Sequence, residues 1–229
     1  MNRFLHISVS PRGDNSYSRY IAEQFIEAMR ALHSEVEIVE RDLAAEPLPH
    51  IDAAFARATL TPAGDRSAAD QEALRLSDAL IAELEAADGL LISTPMHNFA
   101  LPSVLKAWLD HIIRPNRTFR PSSKGKLGLV ADRPTFVILA CGGGFEGDVQ
   151  EDHFSAYMRY ALRTTGIEKV QILRLEELNR GHEKVVVALE NARRWIHRQL
   201  VDKETYNMTS VSKVPGRAFV DRAGIDDVA

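Results

Sequence analysis

One short segment constrains the fold of this chain more than any other. Residues 89–92 are an apolar run, and residues 104–112 carry apolar side chains with the 3.6-residue period of a helix. The loop between them has a proline near each end, Pro95 and Pro102, and proline keeps a loop from joining either neighbouring element. A short buried strand, a stiff loop and a helix, in that order, are typical of a parallel sheet. In open α/β sheets the ligand binds where such loops emerge, at the carboxyl ends of the strands.

The same alternation extends along the chain. Further strands are predicted at residues 4–9, 36–39, 135–140 and 169–175, and helices at residues 16–32, 53–59, 65–87, 103–113, 152–165 and 183–201. Five strands with intervening helices predict a doubly wound parallel α/β sheet with helices on both faces. The strand at 135–140 is the most apolar and is expected at the sheet centre. The helix at 65–87 is expected to start at a capping box of Ser67 and Asp70 and to be closed by Gly89.

Two segments fall outside this alternation. Residues 114–133 have no strong period, and a loop of that length in a compact domain is usually functional or interfacial. Hydrophobic periodicity also ends after residue 201. The sequence therefore predicts one domain, residues 1–201, followed by a tail, residues 202–229, that is either disordered or wrapped around a partner subunit.

Composition excludes several classes of protein. The net charge is −4, so neither nucleic acid nor an acidic membrane is an expected partner. The single cysteine rules out an intrachain disulfide and suits a reducing compartment. The first residues lack the apolar segment of a signal peptide, and no apolar run approaches the roughly 20 residues that span a bilayer. We therefore expect a cytoplasmic protein.

The loop after the first predicted strand is rich in hydroxyl groups. Ser10, Ser16, Tyr17 and Ser18 lie around the start of the first helix. Hydroxyls and backbone N–H groups at a helix start form a site for an anion, helped by the positive end of the helix dipole. The loop lacks the glycine spacing of a dinucleotide-binding turn and of a P-loop, so a phosphate monoester is the expected ligand. A plain N-cap followed by a turn explains the same residues equally well.

The loop after the third predicted strand carries Met96, His97, Asn98 and Phe99. These side chains suit a flat aromatic ligand with polar edges, such as a flavin ring. When the loop is considered alone, a packed connection with Met96 and Phe99 in the core explains it slightly better. His97 alone is expected at the surface or behind the residues that touch a ligand.

The loop after the fourth predicted strand consists of Cys141, Gly142, Gly143 and Gly144. Glycines let the backbone approach a ligand closely because no Cβ intervenes, although a flexible turn would have the same composition. No histidine or asparagine is placed to make Cys141 a catalytic thiol, and a free cysteine is usually a small buried apolar residue.

Other polar groups are interpreted as surface features. Lys106 and Asp110 are spaced to pair on one helix, while Glu176 with Glu177, and Arg193 with Arg194, are typical of solvated faces. The eight histidines show no spacing of a zinc site.

Together, the three loops resemble those of the FMN-dependent NADH-azoreductase family, which belongs to the flavodoxin-like NAD(P)H:quinone reductases. The resemblance covers roughly the first 200 residues, about the length of a single α/β domain. It is carried by Ser-Pro-Arg-Gly at 10–13 with Ser-Tyr-Ser at 16–18, by Pro-Met-His-Asn-Phe at 95–99 and by Leu-Lys-Ala-Trp-Leu-Asp at 105–110, with further matches at 41–44 and 118–119.

The resemblance implies a flavodoxin-like fold, noncovalent FMN and a role for each loop. By this resemblance Ser10, Ser16, Tyr17 and Ser18 hold the FMN phosphate; Met96, His97, Asn98 and Phe99 lie against the isoalloxazine ring; and Cys141, Gly142, Gly143 and Gly144 meet its pyrimidine edge. The chain departs from the family at two places. The family usually has tyrosine where His97 stands, and Ser-Arg-Gly-Gly at 141–144, so a positive charge near the ring is lost at Gly142.

The implied activity is two-electron transfer by a ping-pong mechanism. NADH or NADPH passes hydride to FMN, and a quinone or azo compound then takes the donor's place and receives the hydride. His97 is a candidate to assist as a proton donor. The implied assembly is a homodimer in which Phe119 of one subunit covers the flavin of the other and contacts the substrate.

Three other functions remain open. One is an NADPH-dependent reductase of free FMN or of metal ions on the same fold, and another is a flavin-free regulatory or binding module. The third is a flavodoxin-like electron carrier. We disfavour the carrier because such proteins are short and strongly acidic, whereas this chain has 229 residues and a charge of −4.

Overall fold

In the part of the chain that the structure describes, seven strands lie in two sheets, and five of them form the parallel sheet that the sequence predicts. The strands are β1 Arg3–Ser8, β2 Glu37–Asp42, β3 Gly89–Pro95, β4 Phe119–Ser122, β5 Gly125–Gly128, β6 Thr135–Ala140 and β7 Val170–Leu175. The computed structural model describes residues 2–123, 125–145 and 150–200. The large sheet has the order β2–β1–β3–β6–β7, all parallel, while β4 and β5 form an antiparallel hairpin. This is the flavodoxin-like order, whose switch point lies between β1 and β3.

The described residues form six α-helices, which cover the two faces of the large sheet. They are α1 Tyr17–Leu32, α2 Ala53–Leu60, α3 Ala68–Ala86, α4 Ser103–Ile112, α5 His153–Thr165 and α6 His182–Leu200. Alternate residues of each strand face opposite sides. Phe4 therefore joins an aromatic cluster with Phe25 of α1 and Trp195 of α6, whereas Leu5 packs in the core beneath α3, α4 and α5. The predicted fold class is confirmed.

Three details differ from the sequence-based expectation. The strand expected at 36–39 runs to Asp42, because β2 pairs with β1 along six residues. The central strand is β3 rather than 135–140, although β6 is interior and its first five residues are buried. The predicted capping box of Ser67 and Asp70 is present, but Ala87 ends α3 and Gly89 begins β3. A Cβ at Gly89 would lie 2.2 Å from the ring of Phe4, so the glycine is required by packing.

The excursion expected at 114–133 contains the β4–β5 hairpin, held by two buried arginines. Arg114 is 2% exposed and donates to the Ser77 hydroxyl at 3.0 Å and to the Asp78 carboxylate at 2.8 Å. Arg133 donates to the carbonyls of Leu84 and Ala87 and so caps the end of α3. The excursion joins the end of α4 to the start of β6, so it lies at the amino edge of the sheet, opposite the loops described above.

The tail predicted at 202–229, and with it the domain boundary, lies outside the described residues. Among the residues that the structure describes, no helix is long and apolar enough to cross a membrane. Within the same residues, no cluster of histidine, cysteine and acidic side chains could hold a metal ion.

Candidate active site

The loop after β1 leads into a hydroxyl-lined helix start. Ser10, Ser16 and Ser18 are each 3% exposed or less. The hydroxyl oxygens of Ser16 and Ser18 lie 3.1 Å apart, and Ser16 caps α1 by accepting the backbone N–H of Arg19 at 3.3 Å. Tyr17 is the first residue of the helix and is half-buried. The N–H groups of a first helical turn have few partners inside the helix, and the dipole there is positive. The N-cap interpretation is therefore correct, and the same residues also form a cradle for an anion.

A layer of buried polar side chains lies beneath this cradle. His6 and Ser8 of β1 and Ser93 of β3 alternate onto the sheet face that α1 covers. The Nε2 atom of His6 lies 2.9 Å from the Ser93 hydroxyl, and the Ser8 hydroxyl has no hydrogen-bond partner among the described residues. Burial, with a smaller effect of Arg19, lowers the pKa of His6 to about 4, so the ring is neutral at pH 7. Our sequence reasoning missed this layer, although the alternation His-x-Ser-x-Ser at 6–10 was the available signal.

The loop after β3 is a tight turn that exposes an aromatic ring. The backbones of His97 and Ala100 exchange hydrogen bonds of 3.1 and 3.0 Å. Asn98 and Phe99 between them have φ of +45° and +70°. Positive φ at both central positions is typical of a type I′ turn, and a bulky side chain rarely adopts it. Phe99 is nevertheless 60% exposed, so burial of its ring does not offset the strain of its backbone.

The alternative of Met96 and Phe99 both packed in the core is half correct. Met96 packs against the core beneath α3, α4 and α5, and its sulfur accepts a hydrogen bond from Gln150 at 3.4 Å. Phe99 lies outside the core. His97 and Asn98 are exposed, as expected for a loop residue beside a ligand site.

Within the described part of the chain, the backbone of the loop after β6 is held by the loop after β7. The backbone N–H groups of residues 177–179 donate to the carbonyls of residues 141–143 at distances between 2.9 and 3.2 Å. Among the described residues, no backbone N–H of Gly142, Gly143 or Gly144 donates a hydrogen bond. These three amides could therefore donate to a ligand. Burial, then the nearby Glu176 carboxylate, raises the pKa of the Cys141 thiol to about 12, so the thiol stays protonated.

The loop after β7 was interpreted as solvated, which was wrong for Glu176. This half-buried residue accepts the backbone N–H of Phe145 at 3.0 Å and pairs with Arg174 at 3.1 Å. The Arg174 guanidinium in turn lies 5.0 Å from the centroid of the Phe145 ring. The hydrogen bond between Glu176 and Phe145 joins residues some thirty positions apart in the chain, and no local sequence pattern predicts such a pairing.

The topology brings the three predicted loops to one edge of the sheet. The N–H of Val9 donates to the carbonyl of Ser93, and the N–H of Met96 donates to the carbonyl of Ala140. A cavity of about 690 Å³ opens beside the glycine loop and is lined by Gly143, Gly144, Gln150, Arg174, Glu176, Glu177, Arg180, Glu183, Lys184, Val187, Ala188 and Asn191. A smaller cavity of about 260 Å³ lies at the opposite edge among residues that include Phe4 and Leu200, far from these loops.

Phe119 is not part of this group. It begins the hairpin at the amino edge of the sheet, where Lys126 Nζ lies 5.0 Å from its ring centroid. The predicted surface pair of Lys106 and Asp110 is present, with 2.5 Å between Nζ and Oδ1.

Comparison with known proteins agrees with the geometry. A family model described as a flavodoxin-like fold matches residues 2–200. FMN-dependent NADH:quinone oxidoreductase 2 of Cupriavidus pinatubonensis is 48% identical over 197 residues, which are 85% of this chain and 96% of that protein. The chain belongs to the FMN-dependent NADH:quinone oxidoreductase family.

Further family members and a solved structure support this assignment. FMN-dependent NADH:quinone oxidoreductase 4 of Pseudomonas fluorescens is 40% identical over 195 residues, which are 84% of this chain and 93% of that protein. The structure of an FMN-dependent NADH-azoreductase from Bacillus anthracis in complex with FMN matches with a TM-score of 0.75 at 25% identity, over 87% of this chain and 100% of that one. The resemblance drawn from the sequence motifs is confirmed.

Proposed function

We propose that this protein is an FMN-dependent oxidoreductase that transfers hydride from NADH or NADPH to quinones and to aromatic azo compounds. The observation that carries the proposal is the meeting, at one sheet edge, of a hydroxyl cradle, an exposed aromatic turn and three glycine amides that have no hydrogen-bond acceptor among the described residues. The relatives in the same family are named for FMN, NADH and quinone.

The residues present fit FMN. The hydroxyls of Ser10, Ser16 and Ser18, at the positive end of α1, suit a terminal phosphate. The amides of the glycine loop suit the carbonyl and nitrogen acceptors at the pyrimidine edge of a flavin. No glycine fingerprint for an adenine dinucleotide is present, so FMN is favoured over FAD. When bound, FMN supplies the hydride chemistry, and the protein supplies position, water exclusion and hydrogen bonds.

The chain's own residues divide this work. The serine cradle anchors one end of the cofactor, and Met96, Asn98 and Phe99 provide a surface for the ring. The amides of Gly142, Gly143 and Gly144 donate to the edge where negative charge develops on reduction, and prepositioned donors of this kind stabilise such charge. His97, which is exposed at the turn, would donate a proton, a task that solvent can share.

Identification of the released cofactor tests the proposal directly. We expect acid treatment of the yellow protein to release FMN, identified by chromatography. Release of FAD would contradict the cradle assignment, and a colourless preparation that binds no added flavin would favour a flavin-free binding module.

We infer a ping-pong mechanism, because a single cleft must serve the donor and the acceptor in turn. Double-reciprocal plots for NADH and a quinone should be parallel, whereas intersecting lines would indicate a ternary complex and exclude the shared cleft. Quinones should be reduced faster than azo dyes, which require weakening of an N=N bond.

We further propose a homodimer in which the partner's hairpin completes each site. Phe119 lies at the amino edge of its own sheet, so it is better placed to reach a partner's flavin than its own. Leu127, Leu129, Tyr157 and Tyr160 expose apolar surface on and beside β5 and on α5, which a second copy would cover. Sedimentation should give a mass near twice 25.5 kDa. We place this dimer in the cytoplasm, whose reducing conditions suit the free thiol of Cys141.

A further inference from the structure

The loop at residues 176–179, here called the clamp loop, holds the glycine loop by its backbone. Its N–H groups at 177–179 bond to the carbonyls at 141–143. Glu177 adopts a φ of +58° in this loop, a conformation that side chains other than glycine, asparagine and aspartate seldom take. The backbone strain therefore coincides with the place where the two loops are joined.

The two loops are also in direct steric contact. A Cβ added at Gly142 would lie 2.4 Å from Nδ2 and 2.9 Å from Cγ of Asn179, but 3.4 Å from its Cβ. A Cβ added at Gly144 would lie 3.1 Å from Cγ of Glu177. A side chain at 142 would therefore require the exposed Asn179 side chain of the clamp loop to move away, whatever ligand lies on the other side.

A charged anchor fixes the clamp loop in turn. Glu176 bonds to the Phe145 amide at the end of the glycine loop and to Arg174 of β7. Arg174 also pairs with Asp152, the N-cap of α5, at 3.1 Å. One ion-pair chain thus connects β7, the glycine loop and the start of α5.

We propose that the clamp loop is a positioning element of the flavin-ring subsite, with Asn179 and Glu176 as its key residues. The proposal rests on the function proposed above. With the carbonyls of residues 141–143 held on one side, the amides at 142–144 are presented to the opposite side as a preformed row of donors. Without the clamp, a run of three glycines would have to be ordered when the ligand binds, and the ordering would oppose binding. The clamp loop acts on the ring alone, because the phosphate is held by a separate cradle.

A steric lock and its release provide the first test. Gly142→Ala should displace the Asn179 side chain and weaken the apoprotein's binding of FMN and of riboflavin by the same factor, of a few-fold. Riboflavin shares the ring but lacks the phosphate, so equal factors locate the defect at the ring. Asn179→Ala in the Gly142→Ala background removes the colliding atoms and keeps the backbone N–H, so it should restore most of the affinity. Flavin fluorescence quenching gives both constants.

The anchor gives a second test that adds no atoms to the loop. Glu176→Ala should lower the apoprotein's affinities for FMN and for riboflavin severalfold and by equal factors. Glu176→Gln, whose amide oxygen can still accept the Phe145 N–H, should recover much of the lost affinity. The thermal midpoint of each apoprotein identifies a variant that has failed to fold. If Gly142→Ala fails to fold, the two Glu176 variants alone test the proposal.

The outcomes separate this inference from the proposed function. If the wild-type apoprotein binds neither FMN nor riboflavin, the proposed function fails. If it binds both, but the clamp variants leave both affinities unchanged or weaken FMN without weakening riboflavin, the positioning role is overturned. Failure of Asn179→Ala to rescue Gly142→Ala would also contradict the steric lock.

Discussion

The two ends of the proposed flavin site are built in different ways. The phosphate end consists of residues 10–18, one continuous stretch that turns from β1 into α1. It rests on the buried polar layer of His6, Ser8 and Ser93. The ring end combines three loops that are distant in sequence and rests on apolar core through Met96. Its backbone carries positive φ at Phe99 and at Glu177, whereas the phosphate end has positive φ only at a glycine, Gly13.

This difference separates the residues that would hold the FMN phosphate from those that would shape the subsite for its ring. A helix start with serine hydroxyls presents donors through local geometry alone, and it needs no distant partner to do so. The ring end owes its shape to contacts between loops, and its strained positions persist only because surrounding structure fixes them. We therefore expect changes at the phosphate end to act on affinity, and changes at the ring end to act on the substrate as well.

The largest expected effect comes from removing the two cradle hydroxyls. Ser16→Ala with Ser18→Ala should weaken FMN by about 100-fold or more, since each hydrogen bond to a charged group is worth roughly 1.5–3 kcal/mol. Riboflavin affinity should change little, because it has no phosphate. The control is Ser67→Ala, which removes the N-cap of α3 and so lowers stability without touching the cradle. Equal losses for FMN and riboflavin would contradict the division between the two ends.

Titration of His6 probes the polar layer beneath the phosphate end. Its pKa falls from 6.5 to about 4 on folding, so the unfolded chain binds the proton more readily. The part of the unfolding free energy that depends on neutral His6 is fully present above pH 6.5. It is lost as the pH falls from 6.5 to about 4, and the total loss is roughly 3 kcal/mol. His6→Gln cannot titrate and should lack this part of the loss. Urea unfolding of both proteins at pH 7, 5 and 4 measures the difference, and carboxylates common to both cancel. If the unfolding free energies of the two proteins changed in parallel with pH, His6 would not contribute to the pH dependence of stability.

The same division explains what sequence alone could predict. The parallel α/β fold class, the helices and the cradle at Ser16 and Ser18 follow from local periodicity and capping preferences, which are properties of neighbouring residues. The clamp loop and the polar layer depend on which strands become neighbours, so Glu176 was assigned to the solvent and His6 was overlooked. The central position of β3 was missed for the same reason, because apolar content does not fix strand order.

Replacing Phe99 separates strain from function at the ring end. Phe99→Gly should stabilise the apoprotein by about 1 kcal/mol, because glycine adopts a φ of +70° without strain. It should also raise the KM for a quinone about two- to tenfold, since a stacked aromatic pair is worth roughly 0.5–1.5 kcal/mol. Phe99→Tyr is the matched control, as it keeps an aromatic ring at the same position of the turn. A quinone KM unaffected by Phe99→Gly would contradict the expectation that changes at the ring end also act on the substrate.

The smallest expected effect tests whether the ring end is completed by a second subunit. Phe119→Ala should raise the quinone KM a few-fold while FMN remains bound, because loss of one stacking ring is worth roughly 0.5–1.5 kcal/mol. The competing explanation is that Phe119 only packs locally beneath Lys126, in which case the change would lower stability and leave the KM alone. Mixed dimers decide between a partner's Phe119 and the chain's own. A Phe119→Ala subunit has an intact cradle, and a subunit with Ser16→Ala and Ser18→Ala has an intact Phe119. Only if Phe119 acts across the interface will their mixture contain a site with both. When the subunit with Ser16→Ala and Ser18→Ala is in large excess, most cradle-bearing sites lie in mixed dimers, and assays at limiting FMN should then give a KM close to that of the wild type. If Phe119 served its own chain, no site in the mixture would combine the two, and the KM would stay raised.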